Sequence, residues 1–109
     1  MDYAIDYSFD EEKNNWTVNL TGEIDIFNSA DLKKQLTDLT LEKNADLYIN
    51  CKNLEFIDST VLGALVGVLK NVKSYGGEIH LVKIKPNLSR LFKITNLDKA
   101  FIMDGDNDE

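Results

Sequence analysis

The apolar residues of this chain change their spacing several times, and this change of period limits the folds available to it. Near the amino terminus they alternate with polar residues, as in strands with one covered and one solvated face. They then recur at helical spacing and return to alternation. Further along the chain, helical and alternating spacing follow each other again. The predicted order is an antiparallel hairpin, then helix, strand, helix, strand and helix. Each strand–helix–strand step implies a right-handed crossover between parallel strands.

Start and stop signals locate these elements along the chain. Strands are predicted at residues 3–9, 16–21, 47–51 and 79–81. The first helix begins after Asn28 as N-cap, with Phe27 placed to pack against Leu32. The second helix runs from an Asp58 N-cap to about residue 75, and the third covers residues 86 to about 96.

The alternation in the strands predicts how the layers are arranged. A sheet covered on both faces has continuously apolar strands, so we expect the helices mainly on one face and a partly wet second face. The fold class is therefore α/β, with a mixed sheet made of an N-terminal antiparallel hairpin plus parallel strands. We expect one domain over residues 1–103. Residues 104–109 are acidic and are expected to form a disordered tail.

Composition excludes several functions. Twelve Lys and Arg against 19 Asp and Glu give a net charge of −7, which would repel a phosphate backbone, so no nucleic-acid partner is expected. The longest apolar run, residues 61–69, is too short to span a bilayer, and the amino terminus lacks the features of a secretory signal. A single cysteine fits a reducing compartment. We expect a cytoplasmic protein that has no membrane partner and is monomeric when free.

Few residues could carry catalysis or bind a metal. His80 falls on the wet face of a strand without a second metal-binding or nucleophilic partner, and Cys51 falls among core positions. Residues 104, 106 and 108 are spaced like the start of a calcium loop, but the required glycine and final glutamate are missing. Glu23 and Asp25 could act as an acid–base pair in a small hydrolase, the rival from another functional class. Otherwise we predict no catalytic residue, cofactor or metal.

The segment FIDSTVLGALVG at residues 56–67 is the most unusual part of the sequence. On a helical wheel, one apolar arc faces the sheet and a second extends it sideways; the first contains Leu62, Leu65, Val66, Leu69 and Val72, the second Val61, Ala64, Val68 and Tyr75. Ser59, Gly63 and Gly67 form a separate i, i+4 row. A mid-helix glycine costs about 1 kcal/mol relative to alanine. Either a neighbouring loop packs closely on this row, or a partner docks over Ser59.

Several segments together resemble a known family. DST at 58–60, followed by LG at 62–63, is similar to the D-S-[ST]-G-L-G signature of anti-sigma factor antagonists, the bacterial members of the STAS domain family. GEID at 22–25 resembles the family's segment after the second strand, and YGGE at 75–78 with LFKITNL at 91–97 resembles its later landmarks. The resemblance extends from about Tyr3 to Ile102. Val61 departs from it, because the family pattern has glycine there.

The resemblance implies a partner-switching regulator of transcription and not an enzyme. Unphosphorylated family members bind an anti-sigma factor that is also a serine kinase, and this binding frees the sigma factor. The kinase phosphorylates the serine that corresponds to Ser59, and a metal-dependent serine phosphatase removes the phosphate. The residues expected to bind the partner are Asp25, Asp58, Thr60, Gly63 and Gly67.

Two further expectations accompany this hypothesis. The alternative within the family is a STAS-type scaffold or transport accessory subunit, in which the serine is structural and is not phosphorylated.

Val61 is expected on the flank of its helix with Ala64 and Val68, directed away from Ser59. It should therefore leave the serine hydroxyl accessible, and Val61→Gly should lower stability by less than about 1 kcal/mol.

Overall fold

The structure, a computed structural model, describes residues 2–104. Its elements in chain order are β1 (Tyr3–Asp10), β2 (Asn15–Ile24), α1 (Ser29–Glu42), β3 (Asp46–Ile57), α2 (Ser59–Lys73), β4 (Ile79–Val82), α3 (Pro86–Ile94) and β5 (Ile102–Asp104). A 3-10 turn, Leu97–Lys99, links α3 to β5. All four predicted strands and all three predicted helices are present.

The strands form one five-stranded sheet in the order β1-β2-β3-β4-β5. β1 and β2 are antiparallel, whereas β2, β3, β4 and β5 pair in parallel. A helix connects each parallel pair. Because successive right-handed crossovers between neighbouring strands return on the same side, the three helices cover one face of the sheet. The predicted mixed sheet, with its helices on one face, is confirmed.

The core lies between the sheet and the helices. On the central strands alternate side chains are buried, namely Trp16, Val18, Leu20, Leu47, Ile49, Cys51, Ile79 and Leu81. They form one apolar cluster with residues of all three helices. The prediction that Cys51 belongs to the core is confirmed: it is 1% exposed, and burial raises the pKa of its thiol to about 12. No helix between residues 2 and 104 is long and apolar enough to span a membrane.

Two strands differ from the sequence prediction. β3 continues beyond Cys51 to Ile57. The prediction missed this extension because the later buried residues, Leu54 and Ile57, follow a spacing of three and not of two. The β2–β3 pairing shifts register in this stretch, and such irregularities interrupt the alternation of side chains. β5 was not predicted; it has three residues and exists by pairing with β4. It ends at Asp104, and the rest of the predicted tail, residues 105–109, lies outside the described residues.

Candidate functional site

The two acidic residues singled out by the sequence, Asp25 and Asp58, leave the sheet at the same edge. Ile24 ends β2 and Ile57 ends β3, and these buried residues are partners in the parallel register. The chain therefore leaves the sheet twice at neighbouring points. Asp25 opens the turn before α1, and Asp58 stands directly before α2.

Gly22 shapes the end of β2 that leads to this edge. Its φ is +98°, a conformation that side chains rarely adopt, and a Cβ there would clash with the carbonyl oxygen of Asp2. That carbonyl also accepts a hydrogen bond of 3.0 Å from the Glu23 N–H. The register between β2 and β3 shifts between Gly22 and Glu23. Glycine thus permits the irregular strand end from which Asp25 emerges.

Asp58 caps α2, as the sequence predicts. Its Oδ1 accepts hydrogen bonds from the Thr60 N–H at 3.0 Å, the Val61 N–H at 3.4 Å and the Thr60 hydroxyl at 2.5 Å. The Thr60 hydroxyl, followed by the N–H groups of Thr60, Val61 and Ile26, holds the pKa of Asp58 below its ordinary value. Since the Ile26 N–H takes part, the turn before α1 lies beside this carboxylate.

Ser59 occupies the first position of α2 and is exposed. Within residues 2–104 its hydroxyl makes no hydrogen bond, whereas the neighbouring Thr60 hydroxyl is held by Asp58. The N–H groups in the first turn of a helix lack intrahelical partners, and the helix dipole favours negative charge there. Two adjacent hydroxyls therefore differ: one is engaged, and one faces solvent at an anion-tolerant helix end.

Asn28 precedes α1 but its side chain does not cap it. Its Oδ1 accepts a hydrogen bond of 2.8 Å from the Asp25 N–H, while Asp25 Oδ1 accepts one of 2.9 Å from the Phe27 N–H. The predicted packing of Phe27 on Leu32 is wrong, because Phe27 is 92% exposed. The hydrogen bonds close a turn that leaves Phe27 and the adjacent Ile26 in solvent.

The buried side of α2 is rotated relative to the wheel prediction. Val61 and Val68, expected on the flank, are 1% and 0% exposed, whereas Val66, expected toward the sheet, is only partly buried. The reason is that α2 also packs against α1, where Asn71 donates a 2.7 Å hydrogen bond to the Thr40 hydroxyl. Val61 thus points into the core and Ser59 away from it. Val61→Gly is accordingly expected to cost more than the sequence indicated.

The two glycines of the Ser59 row have different surroundings. A Cβ at Gly63 would meet nothing within 4 Å, so the surface next to Ser59 is open. A Cβ at Gly67 would lie 2.7 Å from Cε and 2.9 Å from Nζ of Lys33 on α1. Helix packing therefore accounts for Gly67, while Gly63 leaves space that no neighbour fills.

Comparison with known proteins places this site in a family. A family model for the STAS domain matches residues 7–108. The chain belongs to the STAS domain family. It is 40% identical over 93 residues to the anti-sigma-B factor antagonist of Bacillus subtilis, an alignment that covers 85% of this chain and 84% of that protein. The resemblance drawn from the sequence motifs is confirmed.

Two solved structures of SpoIIAA share the fold of this STAS domain. The anti-sigma factor antagonist SpoIIAA in its unphosphorylated form has a TM-score of 0.71 at 17% identity, covering 92% of this chain and 86% of that one. The Bacillus cell fate determinant SpoIIAA in the phosphorylated form has a TM-score of 0.70 at 16% identity, covering 94% and 93%. At these identities the likeness extends to the fold.

Exposed apolar residues near the ends of β2 and β3 escaped the sequence prediction. Ile26, Phe27 and Phe56 of this STAS domain are 62%, 92% and 40% exposed. Phe56 lies two residues before Asp58, and its partner across the sheet is Glu23. One sequence feature could have indicated them. Positions 26 and 27, directly after the GEID motif, are both apolar in a turn where polar residues and glycine are usual.

The other candidates from the sequence lie elsewhere or are already engaged. His80 is on the sheet face away from the helices, where its ring stacks on Tyr48 with centroids 3.9 Å apart. None of the three cavities described for residues 2–104 is lined by Glu23 or Asp25. In the same part of the chain, no group of three or more His, Cys, Asp or Glu residues could hold a metal ion.

Proposed function

We propose that this STAS domain is an anti-sigma factor antagonist controlled by phosphorylation of Ser59. Unphosphorylated, it binds an anti-sigma factor that is also a serine kinase, and the sigma factor is released. Phosphorylation by that kinase ends the binding, and a metal-dependent serine phosphatase restores it. The observation that carries this proposal is the exposed Ser59 hydroxyl at the first position of α2, beside two acidic residues and an apolar group.

The geometry favours Ser59 over Thr60 as the phosphate acceptor. A hydroxyl must be accessible and able to turn toward the transferred phosphoryl group. The Thr60 hydroxyl is committed to Asp58 at 2.5 Å, and releasing it would also remove part of the α2 cap. Ser59 can react without disturbing the hydrogen bonds that begin the helix.

The same location explains how phosphate could act as a switch without unfolding the domain. A phosphoserine carries a charge of about −1.5 to −2 at pH 7 and is tolerated at a helix start. At Ser59 this charge would stand beside Asp58 and near Asp25, in a surface that the partner must desolvate. A penalty of about 3 kcal/mol weakens binding more than 100-fold.

The docking surface that we propose combines the polar residues around Ser59 with the exposed apolar residues nearby. Asp25, Asp58, Thr60 and Gly63 surround Ser59, and Gly67 lies at the margin under Lys33. Ile26 and Phe27, exposed in the turn beside Asp58, supply apolar area next to it. Large aromatic side chains dominate the binding energy of many interfaces, so we assign Phe27 the role of main anchor.

In this function the phosphoryl chemistry belongs to the partners. The STAS domain needs no catalytic residue of its own, since it presents the acceptor hydroxyl and a docking surface. We further propose that it acts in the cytoplasm as a monomer when free, where ATP, the kinase and the phosphatase are available. The curated Bacillus subtilis relative is named for the same antagonist role.

The decisive experiment incubates the purified domain with ATP and the anti-sigma factor kinase of the same host, followed by mass spectrometry of the peptides. We expect one phosphate on Ser59. Ser59→Ala should bind the kinase and stay unmodified, and the matched variant Thr60→Ser should still be phosphorylated at Ser59. Phosphate on residue 60 of the wild-type protein would overturn the assignment of Ser59. Kinase binding without any phosphate transfer would favour the scaffold alternative.

A further inference from the structure

The face of the sheet away from the helices contains an open cavity of about 330 Å³. Residues of four strands and two connecting turns line it, among them Lys13, Thr17, Tyr48, Asn50, Val82 and Lys83. Its volume is at the lower end of the range for small-molecule sites. It lies on the opposite face from the buried side of α2, so it is separate from the surface around Ser59.

The floor of the cavity contains a flat slot next to Tyr48. Thr17, Tyr48 and His80 are neighbours in one row across β2, β3 and β4. On one side, the Tyr48 ring is stacked against His80, with planes 9° apart and centroids separated by 3.9 Å. On the other side the neighbour is the short Thr17, which leaves room over the second ring face. A planar group placed there would extend the stack.

The charge around this slot is positive, although the chain as a whole has a net charge of −7. Lys13 and Lys83 line the cavity, and neither forms an ion pair with any residue between 2 and 104. The one carboxylate in the lining, Asp10, is engaged: its Oδ1 accepts hydrogen bonds from the N–H groups of Glu12 at 3.0 Å and Lys13 at 3.1 Å. Two ammonium groups and one carboxylate thus leave the lining with a net positive charge.

The neutral polar groups of the lining are available as donors. The side chains of Asn15, Thr17 and Tyr48 make no hydrogen bond within the described residues. Asn50 uses its Oδ1 to accept from the Lys52 N–H at 2.9 Å, so its amide NH2 stays open. Lys83 has a φ of +58°, which is uncommon for lysine, and such backbone conformations are concentrated at ligand sites.

We propose that this cavity binds a small planar organic anion, a fused or single aromatic ring that bears a carboxylate or phosphate group. The ring stacks on Tyr48 above Thr17, with Val82 at its edge. The anionic group lies between the donors of Asn50, Lys13 and Lys83. Stacking selects planarity, and the ammonium groups select negative charge, so neither a neutral ring nor a saturated anion satisfies both requirements.

The test uses four probes with the full chain and follows backbone amide resonances by NMR. The probes are 2-naphthoate, 1-naphthyl phosphate, the neutral 2-naphthamide and the saturated decahydronaphthalene-2-carboxylate. We expect one of the two planar anions to bind with a Kd of about 1 mM or tighter, a free energy near −4 kcal/mol, and to shift residues 17, 48, 50 and 82. The neutral and the saturated probes should bind at least about tenfold more weakly. The tighter of the planar anions identifies the group as carboxylate or phosphate.

Three variants connect binding to the cavity. Lys13→Gln/Lys83→Gln together should weaken binding by about tenfold or more, and Thr17→Tyr, checked for folding by circular dichroism, should block the slot. Lys93→Gln on α3 removes one lysine charge on another surface and should change nothing. Binding by neither planar anion, equal binding of 2-naphthamide, or unchanged binding by the lysine double variant would overturn the proposal. Kinase binding through Ser59 should be the same in all of these variants, so the two proposals fail independently.

Discussion

The starts of α1 and α2 lie side by side where β2 and β3 end, and they use similar polar residues differently. At α2, Asp58 accepts hydrogen bonds from the first N–H groups of the helix and from the Thr60 hydroxyl. At α1, the Asn28 side chain leaves the helix start and binds back to the Asp25 N–H. Both side chains satisfy backbone donors, but one stabilises a helix and the other closes a turn.

This difference determines what each helix start exposes. The capped start of α2 leaves the Ser59 hydroxyl free in solvent, and the closed turn before α1 leaves Ile26 and Phe27 there. Short polar side chains can bond either to a helix start or to a local turn, and the competition between the two is settled by the surrounding chain. Here the two outcomes place an exposed hydroxyl near exposed apolar side chains.

The largest expected effect comes from adding charge at the α2 start. Ser59→Asp should weaken binding to the anti-sigma factor by more than about 100-fold, because a third acid would join Asp25 and Asp58. Calorimetric titration measures this, with the melting temperature as a check on folding. Ser8→Asp on β1 adds the same charge at an exposed site and should keep the affinity. Equal losses in the two variants would indicate a non-specific charge effect.

The second prediction concerns the buried side of the same helix start. Val61→Gly should lower the free energy of unfolding by about 2–3 kcal/mol, because it empties a core position and weakens helix propensity. Urea denaturation measures the change. Binding to the anti-sigma factor should be altered by less than about tenfold, since Val61 points away from Ser59. A cost below 1 kcal/mol would mean that Val61 is not in the core.

The third prediction separates the cap from the turn. Asp58→Ala should cost about 1–2 kcal/mol of stability by removing the α2 cap, whereas Asn28→Ala should cost about 1 kcal/mol or less. Urea denaturation at pH 7 compares them. Equal costs would mean that the two side chains have the same role.

Measuring stability as a function of pH also distinguishes the roles of Asp58 and Asn28. The pKa of Asp58 is lowered in the folded state, so its stabilisation is present above the unfolded pKa near 3.9 and is lost as the pH falls through the folded value. Asp58→Ala should therefore lose less stability between pH 5 and about pH 2 than the wild-type protein does. Asn28→Ala should keep the wild-type pH dependence.

The fourth prediction tests the apolar residues that the α1 turn exposes. Phe27→Ala should weaken anti-sigma factor binding by about tenfold, or 1.4 kcal/mol, and leave the melting temperature unchanged, because the ring is almost fully exposed. Leu41→Ala, which removes a 66% exposed side chain near the other end of α1, is the matched control and should bind normally. Unchanged affinity of Phe27→Ala would place the docking surface elsewhere.

The smallest effect is expected at the two glycines of α2. Gly63→Ala should raise stability by up to about 1 kcal/mol, since alanine is the better helix former and space is available. Gly67→Ala should gain less, because the Lys33 side chain must move. Thermal unfolding compares the two. If a partner approaches closely over Gly63, the more stable variant will also bind more weakly, and unchanged affinity would argue against close approach there.

Much of this fold could be predicted from the period of the apolar residues. The hairpin, the alternation of helices and strands and the coverage of one sheet face depend on which side of each element is apolar, and that is visible residue by residue. The prediction failed where the period was broken. The second half of β3 changes register against β2, and β5 is too short to show a period at all.

In the candidate site, too, some features could be predicted from the sequence and others could not. Asp58 as a cap, Ser59 at the first helical position and the glycine row all depend on spacing along a single stretch of chain, so the sequence by itself determined them. That Val61 is buried, that the turn before α1 lies beside Asp58 and that Lys33 covers Gly67 were decided by the tertiary structure. These features depend on contacts between β2, α1 and α2, because a side chain's final hydrogen bond or packing partner is chosen among neighbours that only the folded chain brings together.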